Sequence, residues 1–221
     1  MRTYYDHERG YLAIRERGGT GWDDCPTLAS PSTDSYAPID AFLESRFAPP
    51  GDVIDLGCGG GQTSLRLVAR GHRVTAIDFS PTAIELARAN AEKAGVMVTF
   101  LAGDCLELDF AEASFDLAID NHLLHCLIGP DRGRLLRGVA RVLRPGGLLF
   151  SDTMSREGSF DPAMMHCDPS TFISLHNNRY WTSERELDDE LAAAGFEIID
   201  RGARPEEPGI GIGLIRVARL L

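Results

Sequence analysis

The 221-residue sequence predicts an α/β fold, a mostly parallel sheet with helices on both faces and an antiparallel pair of strands at its end. Three observations support this. From residue 38 almost to the C-terminal end, short apolar runs alternate with stretches of helical spacing, as in successive strand–helix–strand units. The first run ends in a glycine-rich turn, "VIDLGCGGGQ" at 53–62, which lets a backbone approach a ligand at the carboxyl edge of a parallel sheet. The last two runs, "FEIIDRG" and "GIGLIRVARL", are linked through "ARPEEP". That link is too short for a helical crossover, so the two strands must run antiparallel.

The elements follow in order. Ile39, Phe42, Leu43 and Phe47 have helical spacing, and "APPG" stops that helix before the strand "DVIDLGCG". Leu65, Val68 and Ala69 mark a helix closed by Gly71, and "RVTAIDFS" is the second strand. Ser80 is placed to N-cap a helix with Pro81 in its first turn, a buried stripe of Ile84, Ala87 and Ala91, and a stop at Gly95. "MVTFLAGD" and "FDLAIDN" are the third and fourth strands. A helix carrying Leu135, Leu136, Val139, Val142 and Leu143 leads through "RPGG" into the fifth, "LLFSD". Residues 155–180 are polar and weakly periodic, an insertion and not a regular crossover. Ser183 and Glu186 then have capping-box spacing, Leu187 and Leu191 supply an apolar stripe, and Gly195 ends the helix.

Composition narrows the function. A hydrophobic content of 43% suits one domain with a real core. With 22 basic against 33 acidic residues, the net charge of -11 repels a phosphate backbone, so no nucleic-acid partner is expected. The charged start lacks the apolar region of a signal peptide, and no apolar run is long enough to span a bilayer. The expectation is a cytoplasmic protein without a membrane partner. Cys25, Cys58, Cys105, Cys126 and Cys167 are odd in number and scattered, with no C-x-x-C pair. This argues against a disulfide framework and against a sequence-local zinc knuckle.

The glycine turn is sharpened by its neighbours. Gly57, Gly59 and Gly61 give G-x-G-x-G, Asp55 stands on the strand before them, and Asp78 ends the second strand. An acid there accepts both hydrogen bonds of a ribose diol and rejects a 2'-phosphate. No lysine follows the glycines, so the turn is not a triphosphate-binding loop. Cys58 reads as a small packing residue.

Through "DLGCGGG", "AIDFS", "GDCLELDF" and "LRPGG", residues 38–221 resemble the class I S-adenosylmethionine-dependent methyltransferases of small-molecule type. The resemblance implies a Rossmann-like sheet of seven strands whose last is antiparallel. It also implies S-adenosylmethionine as cofactor and S-adenosylhomocysteine as product. Gly57, Gly59 and Gly61 would then lie against the methionine and ribose portions, Asp55 would help hold the amino group, and Asp78 would take the ribose hydroxyls. Asp104 would receive the adenine amine and the Cys105 amide a ring nitrogen. Cys58, Phe79, Ser80, Asp120 and Asn121 complete the expected cofactor contacts. A sulfonium carries a positive reacting centre and no phosphate, so a turn flanked by acids suits it.

Ligands of open α/β sheets sit beyond the carboxyl ends of the strands. The fourth strand runs into "IDNHLLHC" (119–126), which makes Asp120, His122 and His125 the catalytic candidates. Either imidazole is suited to accept a proton near neutral pH, although His125 also reads as a cover for the cofactor's edge. The insertion adds His166, Cys167, His176 and Tyr180. His122, His166, His176 and Tyr180 are expected to line the acceptor's pocket. Independent polar lining and a metal or metalloid site built from His122, His125, His166, Cys167 and His176 both fit these residue types. Residues 1–37 are expected to form a lid arm. Its Tyr5 and Trp22 either wall the sulfonium and acceptor or dock the arm on the core. The expected layout is this arm, a domain over 38–221, and a lid insertion at 155–180. The rival readings are a nicotinamide-dependent oxidoreductase and a protein that binds the cofactor without transferring its methyl group.

Overall fold

The computed structural model describes residues 6–24, 36–45 and 51–221. Tyr4, Tyr5, Cys25 and Phe47 lie outside the described residues. The strands are Asp52–Leu56 (β1), Arg73–Asp78 (β2), Thr99–Ala102 (β3), Phe115–Asn121 (β4), Leu143–Met154 (β5), Phe196–Ala203 (β6) and Gly213–Leu220 (β7). They form one seven-stranded sheet of order β3-β2-β1-β4-β5-β7-β6, with helices around it. The pairs β1–β2, β2–β3 and β4–β5 are parallel. Strand β7 is antiparallel to both β5 and β6. The α/β class, the parallel order and the reversed last strand are those the sequence predicts. No helix among the described residues is long and apolar enough to cross a membrane.

The chain divides into two compact units, Asp6–Glu107 and Leu108–Leu221. In the first, helices His7–Glu16 (α1) and Ala37–Ser45 (α2) precede β1, Gln62–Ala69 (α3) joins β1 to β2, and Pro81–Ala94 (α4) joins β2 to β3. The Ser80 hydroxyl accepts from the Ala83 amide at 3.0 Å to cap α4, and Gly95 closes it with φ 67°. Val53, Ile54, Leu56, Leu67, Ile84 and Ala87 fill the core. Full burial of an aliphatic side chain stabilises by about 1.5–3 kcal/mol.

Helix α1 is absent from the sequence reading, which has a lid arm there and assigns it no helix. Asp6 caps it by accepting from the Arg9 amide at 3.0 Å. Its buried stripe is just Tyr11 and Ile14, which pack on Ala83 beside Trp22 and Leu86. With two apolar anchors and Gly10 inside it, this helix owes its stability to docking more than to propensity.

In the second unit, Pro130–Val142 (α5) joins β4 to β5 and Glu184–Ala193 (α6) precedes β6. Strand β5 starts earlier than "LLFSD": Phe115 pairs with Leu143, and the ladder resumes at Leu117 with Leu148. The residues between bulge out at "RPGG". A Cβ on Gly147 would stand 2.8 Å from the Arg144 carbonyl oxygen and 3.2 Å from that of Asp116, so the bulge closes only on glycine. Leu117, Ile119, Leu135, Val139, Leu149, Phe150, Leu187 and Val217 form the core.

The segment 155–182 has no helix and is held by isolated bridges, Ser155 with Thr182, Cys167 with Ser174 and Ile173 with Tyr180. A further bridge, Phe160 with Gly209, ties it to the β6–β7 link. The capping box of α6 forms as expected, with the Ser183 hydroxyl accepting from the Glu186 amide at 3.2 Å and Glu186 accepting from the Ser183 amide at 3.0 Å. Glu186 also accepts from Arg156 at 2.6 Å and from the Tyr180 hydroxyl at 2.8 Å. Those contacts, Arg156 first, hold its carboxyl down at about 2. Replacing Ser183 by Ala should lower stability by about 1 kcal/mol in urea unfolding. An unchanged unfolding midpoint would contradict this account of how α6 begins.

Candidate active site

The glycine turn is fixed from below by Asp78. One carboxylate oxygen accepts from the Gly59 amide at 2.9 Å and the other from the Ser80 amide at 2.9 Å. The Cys58 amide donates to the Ile77 carbonyl at 3.0 Å, so turn and strand end are tied together at two points. Gly59 has φ 53° and Gly61 φ 82°, both left-handed. A Cβ on Gly59 would run into the Tyr11 hydroxyl, and one on Gly61 would press on Phe100 and Ala87 at 3.0 and 3.1 Å. These glycines are therefore demanded by close packing as well as by the turn.

Asp55 and Asp78 are both buried. Burial pushes the Asp55 carboxyl up to about 7, helped by the charge of Asp78 and opposed by the Ser64 hydroxyl, which donates to it at 2.5 Å. Burial also raises Asp78, against the Ser80 and Gly59 amides. The charged groups that bear on the pair, Asp78 on Asp55 and Glu8 on Asp78, are themselves carboxylates. A site of this kind suits a ligand that brings positive charge and hydroxyl donors.

The other expected cofactor contacts fall around this turn. Phe79 is half exposed, with its ring 5.9 Å from that of His7 and edge-on to it. Ser80 is engaged as the cap of α4. The exposed Asp104 closes its own turn by accepting from the Leu106 amide at 2.8 Å. Burial raises the Cys105 thiol, and burial likewise raises Cys58; neither is set up as a thiolate.

Sequence reasoning missed what α1 does here. The hydroxyls of Ser80 and Thr82 donate to Glu8. The Thr20 carbonyl accepts from Gln62 at 3.0 Å and from Asn90 at 2.8 Å, while Asn90 also donates to the Gly60 carbonyl at 2.8 Å. Residues 6–24 are thereby latched onto the glycine turn and the start of α4. Trp22 stacks among Tyr11 and His7, with both ring distances 5.2 Å, which is the docking alternative for this residue.

In the second unit, the end of β4 turns sharply. Asp120 is buried and fully engaged: one oxygen accepts from the Leu123 and Leu124 amides at 2.8 and 2.9 Å, the other from the Ser151 hydroxyl at 2.6 Å. Burial holds it up at about 6. Its geometry is that of a brace for the turn, and Asn121 follows it as the last residue of β4. His122 has φ 75°, and its ring lies 5.3 Å from that of the buried His125. The Tyr180 amide donates to the His125 carbonyl at 2.8 Å, and Arg132 donates to the Leu124 carbonyl at 2.7 Å, stacks on Tyr180 at 4.9 Å and pairs with Glu190 at 2.6 Å. Beside His122 stands Arg204, a residue without sequence motif, 3.1 Å from the ring nitrogen.

His166 and His176 form a second ring pair at 4.7 Å, and Cys167 contacts the Asp168 carbonyl at 3.6 Å. The expected histidines thus group two by two. Among the described residues, no three or more His, Cys, Asp or Glu side chains form a group that could hold a metal.

Comparison with known proteins agrees with this geometry. A family model described as a methyltransferase domain matches residues 53–147. A ubiquinone biosynthesis O-methyltransferase of Xanthomonas axonopodis pv. citri is 30% identical over 173 residues, covering 76% of this chain and 72% of that protein. The chain belongs to the S-adenosylmethionine-dependent methyltransferases. An uncharacterised methyltransferase of Synechocystis is 37% identical over 162 residues, covering 71% of this chain and 72% of that one. Among solved structures, 1,6-didemethyltoxoflavin-N1-methyltransferase of Burkholderia thailandensis, with its substrate and S-adenosylhomocysteine bound, superposes with a TM-score of 0.72 at 26% identity, covering 100% of this chain and 92% of that one. The methyltransferase cofactor, with its ammonium, sulfonium and ribose diol, meets the demands of the two buried acids.

A raised carboxyl binds its proton more tightly in the folded chain than in the unfolded one. The contribution of Asp55 to stability is therefore greatest below its ordinary value of 3.8 and is lost as pH rises toward about 7. Thermal melts of the Asp55→Asn methyltransferase should fall less steeply with rising pH over that window than the wild type. Titration of the wild type with S-adenosylmethionine should show affinity rising with pH through the same window. A pH-independent affinity would contradict the role of the buried acid.

Proposed function

We propose that this methyltransferase acts on an oxygen, nitrogen or sulfur nucleophile of a small molecule, with the histidines after β4 assisting an in-line transfer. The observation that supports this reading most is the β4 turn itself. It places two imidazoles side by side at the carboxyl end of a sheet strand, each braced by the surrounding fold. The relatives are named for small acceptors, the ubiquinone pathway and a toxoflavin precursor, methylated on oxygen and nitrogen respectively.

Bound S-adenosylmethionine supplies an electrophilic methyl group on a sulfonium. The chain supplies the rest. Asp78 takes the ribose diol and Asp55 neutralises the ammonium, while the glycine turn lets the backbone come close. Phe79 and Asp104 serve the adenine, with the Cys105 amide. Asp120 acts as a positioning residue for the turn, and His122 and His125 orient the acceptor and manage its proton. Within the arm, residues 6–24 act as a cover over the cofactor. The insertion at 155–180, with His166, His176 and Tyr180, roofs the acceptor. The net charge of -11 favours a small acceptor over nucleic acid. The free thiols Cys58, Cys105, Cys126 and Cys167 fit a reducing, cytoplasmic setting.

Incubation with methyl-labelled S-adenosylmethionine and fractionated metabolite extract tests the reading. Label should enter low-mass compounds and stay out of protein and nucleic acid. His125→Gln should slow that transfer about a hundredfold while cofactor affinity holds. Label in nucleic acid, or binding of the cofactor with no transfer in any fraction, would overturn it.

A further inference from the structure

A chain of three groups runs from β5 to the histidine turn. Asp152 is fully buried, and Arg204, just beyond β6, grips it with Nε at 2.9 and 3.1 Å and with Nη2 at 2.6 Å. The same Nη2 lies 3.1 Å from His122 Nε2. A guanidinium offers N–H donors and no acceptor, and it stays charged throughout the working range of a protein. The contact is therefore a hydrogen bond in which Nε2 accepts. Its lone pair is in use, the ring's proton sits on Nδ1, and the ring is neutral, since a protonated imidazole would set two cationic N–H groups head to head.

The backbone is held from the same place. The His122 amide donates to the Asp152 carbonyl at 3.0 Å, and His122 adopts the left-handed φ of 75° that few non-glycine residues take. Asp152 thus fixes His122 at both ends, its carbonyl on the amide and its carboxylate on the ring by way of Arg204. An ion pair this deeply buried is poor evidence of a gain in stability, and local strain of this sort persists where the surroundings over-determine it.

We propose that Arg204, braced by Asp152, is a positioning residue that holds His122 in the neutral Nδ1–H form, so that His122 serves methyl transfer as a hydrogen-bond donor and not as its base. The proposal deepens the small-molecule reading above and rests on it for its meaning in the reaction. With the Nε2 lone pair engaged and Nδ1 already protonated, the ring has no place for an incoming proton. Any proton the acceptor carries then falls to His125, the other imidazole of the pair, and the nucleophile reacts once that proton is off. The anionic oxygen or sulfur forms its bond to the methyl carbon as the bond from carbon to the sulfonium breaks. The electron pair of that broken bond stays on the cofactor's sulfur, the two charges cancel, and no proton passes through His122. Ionisable groups around the ring include Arg204, Asp152, His125, Cys126, whose thiol meets the His122 carbonyl at 3.5 Å, and Asp120 under the same turn.

The tautomer is read directly by two-bond proton–nitrogen correlation on protein labelled with nitrogen-15 histidine near neutral pH, with His122 assigned by the signal lost in His122→Gln. The wild type should show a protonated Nδ1 and an unprotonated Nε2. Arg204→Met should release the ring to a tautomer mixture, and Arg204→Lys, which restores a cationic donor, should return it toward Nδ1–H. A proton on Nε2 in the wild type would overturn the proposal, as would the same tautomer in the wild type and in Arg204→Met. The wild-type spectrum decides the first point even where a variant fails to fold. Calorimetry with S-adenosylhomocysteine on the same samples separates the two levels. Loss of the wider reading appears as no binding, and loss of this inference appears as the wrong tautomer in a protein that binds.

Discussion

The hydrogen bond from the Gly59 amide to the Asp78 carboxylate, 2.9 Å long, is the constraint on which the glycine turn of the first unit depends. It joins the end of β2 to the turn after β1 and sets the turn's height. It also draws a negative charge into a place where burial opposes it. That cost explains the surrounding features. Gly59 is left-handed and lies against Tyr11, so the turn cannot widen. Helix α1 covers the start of α4 with Glu8, a third carboxylate near the first two. An assembly of acids held close in low dielectric is electrostatically strained until a cation enters. S-adenosylmethionine is such a cation, and in the proposed reading its diol would use the acceptor capacity the Asp78 oxygens retain.

The second unit is built on a different principle. There, charge is compensated internally: Asp152 by Arg204, Arg132 by Glu190, and Arg216 by Asp188 and Glu184. These pairs carry few of the enzyme's stabilising kilocalories but fix geometry in definite directions. Arg132 and Tyr180 hold the carbonyls of the β4 turn, and Asp120 holds its amides. The histidines therefore sit on a rigid support, which the proposed in-line transfer would require.

Much of this was legible in the sequence, for local reasons. The caps Ser80 and Ser183, the left-handed Gly95 and the glycine turn are written in residues whose chemistry permits few alternatives. The parallel character of the sheet and the antiparallel last pair followed from the crossover pattern and the short final link. Helix α1 escaped because its two anchors, Tyr11 and Ile14, are meaningful only against Ala83, far along the chain. The extent of β5 escaped because Pro and Gly mark a break locally, whereas the tertiary ladder tolerates them as a bulge. Asp120 read as a catalytic candidate because sequence does not show which atoms a carboxylate already serves. Arg204 and Asp152 were invisible for the same reason: they lie 52 positions apart, in no motif, and their significance is entirely their meeting at His122.

A pre-positioned acid at the end of β2 is proposed to recognise the cofactor's diol. Isothermal titration calorimetry of Asp78→Asn with S-adenosylhomocysteine tests it most directly, since the substitution keeps the size of the side chain and removes its charge. The account predicts a loss of affinity of about tenfold or more, the scale of a hydrogen bond to a charged group. Affinity equal to that of the wild type would contradict it.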